Sequence, residues 1–230
     1  MAAYQGPQAT LRRALQSAFD NKVPETAAEI LDAEIPYLDA SVEETVRVAG
    51  TAGITTRQAL VDTEVLGCRI PKGAHLLLNI RIMYPPMDVA ENLRSASSQA
   101  AQAKRTQGGF DGHPGRDLHL FEPRRWLTKD SEGKEVFDAY ALPTLTFGGG
   151  LRGCFGRFWL HLLYCTKSSL LTQALPVTGK RLAIHELKII MVHLIMNFEF
   201  LPLPEDLDNM DGRETIFRTP KNTHVRLRVL

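Results

Sequence analysis

The residue types best able to do chemistry in this chain stand together at Phe147-Gly-Gly-Gly150-Leu-Arg152-Gly-Cys154-Phe-Gly156. A cysteine on a glycine-rich turn is suited to bind a metal, because the turn frees backbone amides that can point at the sulfur and favour the thiolate. Glycine lets the backbone come close to a flat macrocycle. Arg152 is placed to form a bidentate pair with a carboxylate such as a haem propionate. These residues fit a haem whose iron takes Cys154 as axial ligand, the arrangement whose electron push favours O–O cleavage. Two other readings compete. Cys154 can be an ordinary buried thiol, since free cysteine is often buried. The run also satisfies G-x-G-x-x-G at Gly148, Gly150 and Gly153, a dinucleotide-binding turn if a strand precedes it and a helix follows. Pro143 weakens that strand, and the first acid after the glycines is Glu186, beyond the separation of about 20 residues expected of a ribose carboxylate.

Phe147, Gly150, Arg152, Cys154 and Gly156 complete the pattern Phe-x-x-Gly-x-Arg-x-Cys-x-Gly, which resembles the haem-binding signature of the cytochrome P450 monooxygenases. Two more segments support the resemblance. Tyr37 to Val48 carries apolar residues at 38, 42, 46 and 48 and reads as an amphipathic helix. On it, Glu44 and Arg47 share a face and can pair, which is similar to the Glu-x-x-Arg of the family's K helix. Further on, Phe121-Glu-Pro123-Arg124-Arg125-Trp126 supplies a Pro-x-Arg segment with Arg125 in the matching place. Arg124 stands where the family often has an acid.

The resemblance implies a mainly α fold with small β-sheets, the cytochrome P450 fold, represented by its C-terminal portion over residues 1–230. It implies haem b as cofactor, with Cys154 as iron ligand, Phe147, Gly150 and Gly156 shaping the loop, and Arg152 on a propionate. Arg57 is a second propionate partner or an exposed arginine. Glu44, Arg47 and Arg125 form a structural triad that fixes the loop bearing Cys154. A buried set of this kind works only when every member is paired. Implied partners are a small organic substrate, oxidised with O2, and an electron donor of the NADPH–cytochrome P450 reductase type. The pattern is closest to fungal secondary-metabolism enzymes. An inactive fragment, and haem-thiolate isomerase or dehydratase chemistry, are the alternatives.

Several elements must position these residues. Asp62 to Asn79 reads as two short strands around Pro71-Lys-Gly73, with Cys68 a structural thiol. Ala49 to Thr55 and the turn Gly212 to Phe217 are expected to reach the substrate. Arg218 to Val229 alternates like a terminal hairpin strand. Lys180 to Phe200 reads as a long, largely buried helix. Ile189 excludes the zinc motif H-E-x-x-H at His185-Glu186. Asn92 to His119 is polar and Gly-rich, a short helix and surface loop with solvated His113 and His119.

The family runs Cys-x-Gly straight into a helix, and here the helix comes late. Removing Arg157 to Gly179, 23 residues, joins Gly156 to Lys180 and sets Ala183 and Glu186 at the family spacing from Cys154. The segment 157–179 is therefore read as a non-family insertion, a retained intron or a true insertion. Formal net charge +1 argues against a nucleic-acid partner. Three cysteines without shared spacing argue against a disulfide framework. No run reaches the ~20 apolar residues of a membrane span. With an N-terminal anchor, a full-length protein of this kind would sit on the cytosolic face of the endoplasmic reticulum. No Gly-x-x-Thr oxygen motif precedes Glu44, so the distal half is expected to be missing.

Overall fold

The computed structural model describes residues 2–80, 90–107, 118, 120–142, 145–148, 179–207, 211–215 and 217–230. Five α-helices lie within these ranges: α1 (Gln5–Ala18), α2 (Ala27–Asp32), α3 (Pro36–Ala49), α4 (Ala96–Gln107) and α5 (Gly179–Asn197). The strands form two-stranded antiparallel pairs. β1 (Ile54–Gln58) pairs with β4 (His75–Asn79), and β2 (Thr63–Val65) with β3 (Cys68–Ile70). β5 (Leu127–Lys129) pairs with β6 (Glu135–Phe137), β8 (Gly212–Glu214) with β9 (Arg218–Pro220), and β7 (Phe198–Phe200) with β10 (Leu227–Val229).

Helix boundaries follow local chemistry. Thr26 caps α2 by accepting from the Glu29 amide at 3.3 Å, and the Glu29 carboxylate takes the Thr26 hydroxyl and the Glu25 amide in return. Pro36 opens α3, where its missing N–H costs nothing, and Gly50 closes it with φ of 48°, a left-handed conformation that favours glycine. α3 is buried on nearly every side between Tyr37 and Val48. Leu11 and Leu15 of α1, Ile30 of α2, Leu38 and Val42 of α3, and Val192 and Ile195 of α5 pack into one core.

α1 also binds the end of α5 through polar atoms. Arg12 donates to the Ile195 and Phe198 carbonyls at 3.1 and 2.8 Å, and buried Gln8 exchanges two hydrogen bonds with the Phe200 backbone at 3.0 and 2.7 Å. Carbonyls that a helix end would leave orphaned are thereby satisfied.

α5 matches the expected helix only as far as Asn197, since Phe198–Phe200 form β7, and it is not buried all round. Val192 and Ile195 are sealed in the core, while Ile190 is 54 % and Leu194 36 % exposed. An apolar groove of about 350 Å³ runs along this face, lined among others by Tyr4, Val48, Phe121, Ile190, Leu194 and Phe200. Consequently Ile195→Ala is expected to cost about 2–5 kcal/mol in urea denaturation, whereas Ile190→Ala stays within about 0.5 kcal/mol.

The strands depart from the sequence reading in two places: residues 62–79 hold three strands where two were expected, and the C-terminal strand is split. The strands on either side of Pro71-Lys-Gly73 are β3 and β4, which do not pair with each other: β3 turns back on β2 and β4 reaches β1. The β2–β3 turn is built on Leu66 and Gly67, with φ of 52° and 78°, the paired positive values that suit a tight hairpin. Leucine at such a position hid the turn. At the C-terminus, Arg218 to Val229 splits into β9 and β10 with different partners, because Pro220 has no N–H to continue a ladder.

Candidate functional site: a buried carboxylate with five donors

The Glu44 side chain is completely buried and stands at the meeting point of α3 and the 3-10 turn Pro123–Trp126. Its carboxylate accepts five hydrogen bonds. Oε1 takes Arg47 Nη2 at 2.7 Å, the Glu122 amide at 2.8 Å and Arg125 Nε at 3.0 Å. Oε2 takes Arg47 Nε at 2.8 Å and the Trp126 indole N–H at 2.9 Å. A protonated carboxyl would turn one acceptor into a donor facing donors, so this geometry requires the ionised form. Burial alone would raise the Glu44 pKa, but the bonds and charge of Arg47, then the Glu122 amide and Arg125, outweigh it and hold the group below its ordinary value.

Both arginines also donate to backbone carbonyls. Arg47 Nη1 reaches the Leu118 carbonyl at 2.8 Å and Nη2 the Leu120 carbonyl at 3.0 Å. Arg125 bonds the carbonyls of Glu122 and Leu120 at 3.1 and 3.2 Å. The structure thus brings Glu44, Arg47 and Arg125 together, and it uses them to pin the chain from 118 to 126 onto α3.

Trp126 is the member that sequence reasoning missed. The short 3-10 turn puts the 122 amide and the 125 and 126 side chains on one carboxylate, and fully buried Trp126 also packs with Ala40 and Leu142. Its signal was a tryptophan directly after Pro-x-Arg, whose N–H needs a partner when buried. Trp126→Phe, which keeps most of the bulk and deletes that donor, is expected to cost about 1.5–3 kcal/mol in denaturant melts, the range for a hydrogen bond to a charged group. Tyr37, at the start of α3, is held neutral: burial first, then the Glu122 charge, push its pKa up to about 12.

Of the glycine-rich run, Phe147 and Gly148 lie within the described residues; Gly150, Arg152, Cys154 and Gly156 lie outside them, as do 157–178. Gly148 has φ of 67° and donates its amide to the Leu145 carbonyl at 2.7 Å, so the run enters through a tight turn that its first glycine permits. The Phe147 ring lies 5.7 Å from Lys180 Nζ at the start of α5.

Arg57 sits half-buried on β1. Among the described residues its Nη1 bonds Thr55 Oγ1 at 3.0 Å and the Thr56 carbonyl at 2.8 Å, which leaves Nε and Nη2 for an anion. That is the condition a propionate partner must meet. Cys68 is exposed on β3. Of the two segments expected near a substrate, Ala49 to Thr55 is reached by the residue that follows the other, since the Arg218 amide donates to the Thr51 carbonyl at 2.8 Å. Among the described residues no cluster of His, Cys, Asp and Glu could hold a metal ion, and no helix is long and apolar enough to cross a membrane.

A helix-borne Glu-x-x-Arg pair that clamps a downstream Pro-x-Arg turn, set among helices and small antiparallel sheets, is the arrangement that the resemblance to the cytochrome P450 monooxygenases implied. Solved structures share the fold. A cytochrome P450 (CYP102L1) superposes with a TM-score of 0.58 at 21 % identity, covering 100 % of this chain and 39 % of that one. The retinoic acid-bound cyanobacterial CYP120A1 does so with 0.60 at 22 %, covering 100 % and 40 %. The family model described as cytochrome P450 matches residues 1–85. The cytochrome P450 monooxygenase TRI13 of Fusarium sporotrichioides is 35 % identical over 240 residues, 96 % of this chain and 36 % of that protein. The cytochrome P450 monooxygenase xilC of Penicillium crustosum is 34 % identical over 235 residues, 100 % and 36 %.

The chain belongs to the cytochrome P450 family, of fungal type, and haem is the cofactor that membership brings. It spans about a third of the length of these two relatives.

Proposed function

We propose that this chain supplies the thiolate side of a haem monooxygenase that oxidises a small organic substrate, with electrons delivered by a reductase of the NADPH–cytochrome P450 type. The observation that carries this reading is the spacing of Phe147, Gly150, Arg152, Cys154 and Gly156 in a chain whose relatives are fungal monooxygenases. Cys154 would hold the haem iron, and Arg152 and Arg57 would neutralise its propionates. Bound in this way, haem supplies oxygen activation, with the thiolate favouring O–O cleavage.

The protein's own residues do the positioning. Glu44, Arg47, Arg125 and Trp126 hold the segment that runs from Leu118 to Trp126 against α3. The Arg57 Nε and Nη2, left open among the described residues, would offer a charge-assisted pair to a carboxylate. Val48 and Ala49 line the apolar groove. Residues 157–179 are proposed to be an insertion foreign to this site, and a full-length protein with an N-terminal anchor would work at the cytosolic face of the endoplasmic reticulum.

A second reading, an inactive segment without oxygen chemistry, is favoured by the apolar face that α5 leaves open at Ile190 and Leu194. One assay separates the two. Residues 1–156 joined to 180–230 are grafted in place of the matching third of the TRI13-type relative, and NADPH- and reductase-dependent oxidation of that relative's substrate is measured. Turnover supports the monooxygenase reading; a hybrid that binds haem without turnover supports the inactive one.

A further inference from the structure

The start of α5 breaks a local rule. Helices favour acids in the first turn and cations in the last, because the N-terminal end carries partial positive charge. α5 begins Gly179-Lys180-Arg181 with no acid in its first turn. A cation placed against its own helix dipole points to a compensating role in the tertiary structure.

The partners of Lys180 show what that role is. Its Nζ lies 3.6 Å from Glu43 Oε1 and 5.7 Å from the centre of the Phe147 ring. Glu43 is a buried acid of α3, adjacent in sequence to Glu44. Phe147 is the first residue of the glycine-rich run and sits inside the turn that the Gly148 N–H closes on the Leu145 carbonyl. One ammonium therefore touches three elements: its own helix, the helix that carries the Glu44 ion set, and the entrance of the run bearing Cys154. Eight residues along α5, Lys188 pairs with Asp39 one turn earlier on α3. This second tie fixes the antiparallel crossing of the two helices, so the place of Lys180 does not depend on its own contacts.

We propose that Lys180 is a positioning residue that fastens the entrance of the glycine-rich run to α3, through an ion pair with Glu43 and a cation–π contact with Phe147. The ion pair brings charge compensation to a desolvated acid, and the ring face takes the same cation in a geometry that is attractive within about 6 Å. Its consequence for Cys154 rests on the haem-thiolate reading above; the contact itself does not.

The test is amide hydrogen exchange, read by mass spectrometry, on the full chain as wild type, Lys180→Met, Lys180→Arg and Glu43→Gln. Met keeps the apolar stem and removes the charge, and Arg restores the charge. Lys180→Met is expected to speed exchange of the Gly148 amide about threefold, the factor a contact of this type supports. Lys180→Arg should stay at the wild-type rate, Glu43→Gln should fall between, and peptides from 184–197 should be unmoved in all four. An unchanged Gly148 rate in Lys180→Met, faster exchange throughout 184–197, or a failure of Arg to rescue would each overturn the proposal. Haem titration of the wild-type chain is run in parallel. Absence of haem uptake would count against the haem-thiolate reading alone, because the exchange result is read without haem.

Discussion

Replacing Glu44 with alanine is expected to cost about 3–5 kcal/mol, the penalty for stranding buried charges by removing their partner. Both arginines would lose their counter-ion, and the Glu122 amide and the Trp126 indole N–H would lose their acceptor. Against a total stability of about 5–15 kcal/mol for an ordinary domain, that is a large share. Glu44→Gln should cost less, since it keeps the volume and one acceptor oxygen. The pH dependence follows the same atoms. Because the folded state holds the Glu44 pKa below its ordinary value of 4.5, the unfolded chain binds the proton first as pH falls. The stabilisation is complete above that value and is lost as pH drops through the lower folded pKa. Glu44→Gln removes this part of the acid sensitivity. Urea melts of both variants at neutral and acid pH check the point; a Glu44→Ala chain as stable as Ile190→Ala would contradict it.

A second effect, on both stability and haem uptake, concerns residues 157–179. The flanks of this region already lie close, with the Phe147 ring 5.7 Å from Lys180 Nζ. Residues 148–156 can bridge that gap, because an extended chain spans up to about 3.3–3.6 Å per residue. Deleting Arg157–Gly179 shortens the connection from 148–179 to 148–156, which on loop-closure entropy stabilises the fold by about 1 kcal/mol. It also brings the N-terminus of α5 next to the cysteine, where the helix dipole and free amides favour thiolate. The deletion chain is therefore expected to melt later in urea and to take up haem with a higher yield than the full chain. A deletion that destabilises the fold would identify 157–179 as an integral part of it.

How much of this was legible in the sequence differs from residue to residue. Glu44, Arg47 and Arg125 were readable as a set only through the resemblance to the cytochrome P450 motifs; helical spacing by itself placed Glu44 and Arg47 on one face and said nothing of Arg125. Trp126 was visible but silent, since nothing in sequence says that a 3-10 turn will aim its indole at a helix 82 positions away. The pairing of β4 with β1 was hidden for a related reason. A Pro-Lys-Gly turn announces a change of direction, whereas register across β1 to β4 depends on non-local ladder contacts. The exposure of Ile190 and Leu194 escaped a reading based on hydrophobicity, because an apolar side chain records what could be buried and not whether a partner arrives. Lys180 was readable as an oddity, a cation in a first turn, but its reason lies in Glu43 and Phe147, which only the fold brings near.

The central claim is that Cys154 is the thiolate ligand of a haem, and its most direct test is the ferrous–CO spectrum of the hybrid that carries residues 1–156 joined to 180–230, with and without Cys154→Ser. The account predicts a thiolate-type spectrum for the parent hybrid and its complete loss in Cys154→Ser. The same spectrum in both hybrids, or no haem uptake by the parent, would contradict it.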